Sequence, residues 1–273
     1  TVVALLIVAF LRMDTSACKS YLRHPKLVIA ATAWTTLAVP ILAIFTAKFF
    51  GLNTTNPAVF TGVMMQSVAS PMMAAPAMVA LLGLDATLIL ITLIASTTLV
   101  PLTAPLFVSL LNLDIALSPV TLGLKLCAIL GSAAAIGLLL RRCVSPKRIK
   151  HHTDTIDGIN IIILYLFAAS VMTNMTSEII SRPLLILSLL ALTLLVTTLL
   201  LVLTYLVFYR ANPQTALAIA LMTSLRNMGL MLAGASGAVP SLAWLYIAVA
   251  QFPIHLAPLI LTPIAKRLDR TRR

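Results

Sequence analysis

Apolar runs long enough to cross a bilayer alternate with short polar turns along almost the whole chain. An opening run ends near Leu11, and complete runs follow at about 27–50, 58–82, 86–111, 119–140, 158–172, 183–208, 215–235 and 241–265. Runs of this length, without the ten-residue alternation of a membrane β-barrel, predict helices. The expected architecture is therefore an all-α polytopic membrane protein with eight complete spans. At ~1.5 Å per residue the opening run covers about half a crossing, so the chain is expected to begin inside a helix. A composition that is 60% hydrophobic and 10% charged agrees, because a water-soluble domain of 273 residues has no use for so much apolar surface.

Two runs break the pattern. The run at 58–82 contains Gln66, Ser67, Ser70, Pro71 and Pro76, and two prolines in one span interrupt its backbone ladder. The run at 215–235 holds a polar knot, Met222-Thr223-Ser224-Leu225-Arg226-Asn227-Met228-Gly229. A guanidinium at bilayer depth costs several kcal/mol unless paired or facing a cavity, so Arg226 is the first candidate for a functional site. The two runs also echo each other. Met65-Gln66-Ser67 matches Met222-Thr223-Ser224, and Leu99-Val100-Pro101-Leu102 matches Leu256-Ala257-Pro258-Leu259 at the same offset. The matched runs lie five crossings apart and must point in opposite directions, the pattern of an inverted repeat, in which paired interrupted helices mark a midplane binding site. A plain helical bundle with kinked prolines is the other reading.

Charge supplies the topology. The net charge of +12 would suggest nucleic acid for a soluble protein, but fifteen of the nineteen basic residues fall in loops on one side, against Lys48 and Arg182 on the other. The positive-inside rule makes the rich side, with the C-terminus, cytoplasmic, in a plasma or inner membrane; no nucleic-acid partner is expected, only lipid. Lys125 and Arg226 lie within spans, Lys125 close enough to an end to snorkel. Asp14, Asp85, Asp114, Asp154, Asp157, Glu178 and Asp269 all fall in loops or at span ends. Arg226 is thus expected to lack an acidic partner and to rely on polar side chains, opened carbonyls, water or a bound anion.

Several stretches together resemble the bile acid:sodium symporter family over nearly all of the chain from about residue 10. They are the Phe10-Leu11-Arg12 exit with a basic loop ending in His24-Pro25, the span with Val39-Pro40, the Pro71 to Asp85 segment, Pro101, the Thr223 to Asn227 segment and the basic end from Lys266-Arg267. The resemblance implies a single transmembrane transporter domain over 1–273. It would be two inverted five-helix repeats, at about 1–112 and 118–267, with broken helices crossing at the midplane. The family's first helix and part of its second would be missing. It also implies transport of a small organic anion coupled to sodium. Family members carry a Glu-x-Gly-x-Gln-Asn run on the second crossing helix, whose counterparts here are Met222, Ser224, Arg226 and Asn227; only Asn227 is kept. The family's Ser-Asn pair falls near Ala75 and Pro76, and a Gln five residues before the preceding helix's proline falls on Thr35. Sodium needs several hard oxygen ligands, so its ligands are poorly matched and no cofactor is expected.

The candidate substrate-binding residues are Arg226, Asn227, His255, Ser224, Thr223, Gln66, Ser67 and Ser70. Three roles are open to Arg226: a built-in cation in place of sodium, a bidentate fork for a carboxylate or sulfonate, or a tie for opened carbonyls. The resemblance places Asn227 and His255 on the cavity wall; interhelical glue for the first, and a proton relay or plain packing for the second, are the alternatives. Ser96, Thr97 and Thr98 could complete the cavity, though hydroxyls in membrane helices mostly bond their own backbone. Met64, Met65, Met72, Met73 and Met78 read as adaptable packing around the break. A phosphate loop, a metal-ligand pair on a helix and a nucleophile with its base are all lacking, so no enzyme is expected. Secondary transport by alternating access is the leading expectation, and a non-transporting receptor or degenerate relative that binds an anion is the alternative.

Overall fold

Asparagine followed by proline opens two helices of this chain for a local reason. Asn56 accepts from the Val59 amide at 3.2 Å and Asn212 from the Gln214 amide at 2.8 Å, while Pro57 and Pro213 occupy a first turn that needs no N–H from them. Both helices stop after 12 residues, at Val68 and Ser224, and helix resumes at Ala75 and Met228. Asn212→Ala should cost about 1 kcal/mol and Asn212→Gly only a few tenths. Thermal unfolding of the purified protein in detergent checks this, and equal losses would contradict the capping role.

The computed structural model describes residues 2–12, 25–144, 152–172 and 175–254, with 256, 260 and 263 beyond them. Helix α1 is Val2–Arg12, α2 is Pro25–Phe49 with a π-helical stretch at Trp34–Ala38, and α3 is Leu52–Thr55. The first interrupted helix is α4 (Pro57–Val68) and α5 (Ala75–Leu81). Then come α6 (Ala86–Leu111), α7 (Pro119–Cys143), α8 (Thr153–Val171), α9 (Met175–Ser181) and α10 (Pro183–Phe208). The second interrupted helix is α11 (Pro213–Ser224) and α12 (Met228–Ala235), and α13 (Ser241–Val249) is continued by apolar helix to Ile254. Among the described residues there is no β-strand.

Four helices, α2, α6, α7 and α10, have the length and apolarity to cross a membrane, with 25, 26, 25 and 26 residues. At ~1.5 Å per residue each measures about 38 Å against a hydrocarbon core of about 30 Å, so each fits with tilt. Leu184, Leu195 and Leu206 of α10 point outward, Leu184 with 80% of its surface exposed. Such a face is favourable against lipid tails and costly against water. The chain is an all-α membrane protein.

The expected runs at 27–50, 86–111, 119–140 and 183–208 correspond to these four helices. Those at 58–82 and 215–235 correspond to the two interrupted helices, and 158–172 falls on α8, which ends at Val171. The last run, 241–265, is described as continuous helix only to Ile254; most of the rest, including His255, lies outside the described residues. Helices α3 and α9, short pieces in connecting segments, are additions to the expected set.

Candidate functional site

The two interruptions meet. Each leaves backbone donors and acceptors without helical partners, and the gaps supply one another. The Met72 amide donates to the Leu225 carbonyl at 2.8 Å and the Asn227 amide to the Ser70 carbonyl at 2.7 Å, forming an antiparallel bridge between Pro71 and Arg226. Asn227 then caps α12, its Oδ1 accepting from the Leu230 amide at 3.1 Å. Unpaired backbone groups at this depth would each cost several kcal/mol, so the bridge is what makes two breaks in one place tolerable.

A third helix opens a carbonyl toward the same point. In the π stretch of α2 the Val39 amide bonds the Trp34 carbonyl, five residues back. In that register the donor for the Thr35 carbonyl would be residue 40, which is proline. Arg226 takes its place. Nη1 and Nη2 both donate to the Thr35 carbonyl at 3.3 Å, and Nη1 also donates to the Ala69 carbonyl at the end of α4, at 2.8 Å. Arg226 is only 2% exposed, and Nε has no partner among the described residues.

Around the guanidinium lies a layer of buried hydroxyls and amides. Thr35 Oγ1 donates to the Ala31 carbonyl at 2.7 Å and lies 3.4 Å from Thr223 Oγ1; with its proton so committed, Thr223 is the donor of the pair. Ser67 and Ser224 bond back to the last turn of their own helices, at the Met64 and Leu221 carbonyls, both at 2.9 Å. Tyr246 Oη donates to Gln66 Oε1, and Gln66 Nε2 reaches Thr197 Oγ1 at 3.4 Å, joining α13, α4 and α10. Ser70 Oγ is buried without a partner among the described residues.

Beside the bridge is a cavity of about 380 Å³. Met72, Met73 and Ala74 reach it from the first break, and Arg226, Asn227, Met228 and Gly229 from the second. Helix α1 closes one wall with Leu5, Leu6, Ala9 and Phe10, and α6 contributes Thr97, whose buried Oγ1 also has no partner among the described residues. Of the candidate residues, then, Arg226 and Asn227 line the cavity. Thr223, Ser224, Gln66, Ser67 and Ser70 are buried behind it and are not among its lining. Thr97 lines it, as do Met72 and Met73, while Met64 and Met65 are packed in the core.

Two lining residues escaped the sequence reading. Gln251 is an amide in an apolar run, the same signal that singled out Gln66, and its Nε2 donates to the Ile247 carbonyl at 3.3 Å. Phe167 of α8 carries no polar signal; its ring lies where a Cβ on Gly229 would stand, 2.6 Å from that position. Among the described residues no group of three or more His, Cys, Asp or Glu is placed to hold a metal ion. No protein-family model matches the chain, and no curated protein matches it.

Proposed function

We propose that this chain is a secondary carrier of small organic anions, related to the bile acid:sodium symporters and built as two inverted repeats that exchange access across the crossed, interrupted helices. The reading is supported by one observation: the cavity beside the crossing is lined by Arg226 and Thr97, and each carries a buried donor, Nε and Oγ1, that meets no acceptor among the described residues. Buried polar groups are nearly always satisfied, so two orphaned donors on residues that line one cavity favour an occupant with acceptor oxygens, which they meet by a small shift of side chain. A carboxylate or sulfonate fits, held by a charge-assisted bond from Arg226 and a hydroxyl from Thr97, with its apolar remainder among Met73, Leu5 and Phe10. The matching pair of Asn-Pro helix starts and 12-residue half-helices supports the repeat. The excess of basic residues on one side supports a cytoplasmic C-terminus, in a plasma or inner membrane. The reading includes no cofactor, enzymatic step or nucleic-acid partner.

The test is counterflow in proteoliposomes. Small carboxylates and sulfonates that raise the melting temperature are loaded inside, and entry of labelled compound is followed in sodium and in potassium. A carrier exchanges labelled for unlabelled substrate. Binding without exchange would instead identify a receptor, or a degenerate relative that kept the site and lost the transport cycle.

A further inference from the structure

Beyond the anion site, we infer that the opposite side of Arg226 fills a site for a monovalent cation, built from backbone carbonyls and occupied by the chain itself. Three observations converge on it. The Thr35 carbonyl has lost its helical donor, because the π register directs it to Pro40. The Ala69 carbonyl ends α4, whose helix stops at Val68, and it carries the negative end of that helix's dipole. Both oxygens accept from a single nitrogen, Nη1, at 3.3 and 2.8 Å, so they point at one position.

The surroundings fit a cation. Among the described residues the three hydrogen bonds of the guanidinium all go to backbone carbonyls, and no carboxylate takes part. Convergent carbonyls away from water suit a small cation, and a position that two separate chain interruptions leave negative is unstable when vacant. Arg226 delivers a permanent charge to that seat on a tether. The cation is therefore always bound, and its entry cannot be a step of any cycle. This holds whether or not the chain transports anything.

The experiment uses the purified full chain in detergent, with Arg226→Ala and Arg226→Lys. Melting temperature is followed while guanidinium, sodium or potassium is raised at constant ionic strength, with choline as the inert cation. Urea, the neutral molecule of guanidinium's shape, is the control for charge. Arg226→Ala should melt well below wild type and recover by several degrees in guanidinium or in sodium, in a saturable way. Wild type and Arg226→Lys should show no such rise, since their cation is already in place. Two results would overturn the inference: Arg226→Ala indifferent to every cation, or recovering equally in urea. If Arg226→Ala is not recovered from membranes, Arg226→Gln takes its place; Gln as stable as Lys would show that reach and not charge is what the seat requires.

Discussion

Arg226→Met is expected to lower the stability of the chain by about 2–6 kcal/mol, although it removes a buried charge. Replacing buried ionic groups by apolar ones is often neutral or stabilising, provided that both partners are replaced. Here the partners cannot be. The Thr35 and Ala69 carbonyls are opened by the π stretch and by the end of α4, and they stay open whatever stands at position 226. Desolvating the guanidinium costs several kcal/mol, and its three charge-assisted bonds, each worth roughly 1.5–3 kcal/mol, return about as much. What is left on removal is two orphaned acceptors at about 1–3 kcal/mol each. A second substitution isolates that term. Pro40→Ala gives residue 40 an N–H that can reach the Thr35 carbonyl, so it should recover about 1 kcal/mol or more of the Arg226→Met loss while bringing no comparable gain to wild type. Unfolding of the four proteins of this cycle measures the coupling. Additive losses would mean that Thr35 and Arg226 are not partners in solution.

How much of this was legible in the sequence depends on whether the signal sat in a side chain or in the backbone. Arg226 and the paired prolines stood out because charge and missing N–H groups have few tolerable settings inside a membrane. That Arg226 would lean on groups other than acids was legible too, from where the seven acids fall. Its actual partners were not, because Thr35 and Ala69 act through their carbonyls, and a carbonyl has the same name in every residue. Pro40 was visible, but the shift of α2 into the π register, which makes Pro40 expose Thr35 and not Thr36, depends on packing around Trp34. The indole of Trp34 donates to Thr204 Oγ1 at 2.9 Å and meets the Phe208 ring edge-on, which ties that stretch to α10. Ser67 and Ser224 were attractive as polar groups in spans, yet their hydroxyls are spent on their own helices, as small hydroxyls commonly are. The α1 wall of the cavity was the least legible part, since it rests on contacts between residues far apart in the chain.

That wall is also where a single substitution should do most to the cavity. Gly137 of α7 has α1 lying directly against it. A Cβ at this position would stand 2.7 Å from Phe10 Cβ, 3.0 Å from the Ile7 carbonyl and 3.3 Å from the Leu11 amide. Two of these three neighbours are backbone atoms, so no rotamer change relieves the clash, and α1 must move as a body. Overpacking of this kind costs about 1–3 kcal/mol for small additions, and Gly137→Leu adds more than a methyl. Leu6, fully buried, and Leu5, Ala9 and Phe10 on the cavity wall would be displaced together. Gly137→Leu should therefore melt several degrees lower than wild type and lose the stabilisation by small carboxylates or sulfonates that the proposed function predicts. The same substitution at Gly131, on the same helix but with nothing within 4 Å of its Cβ position, should do neither and can gain up to about 1 kcal/mol from helix propensity. Paired melting curves with and without anion decide the matter. Equal behaviour of the two variants would mean that α1 does not pack on α7 through Gly137. A destabilised Gly137→Leu that still responds to the anion would place the binding cavity elsewhere than under α1.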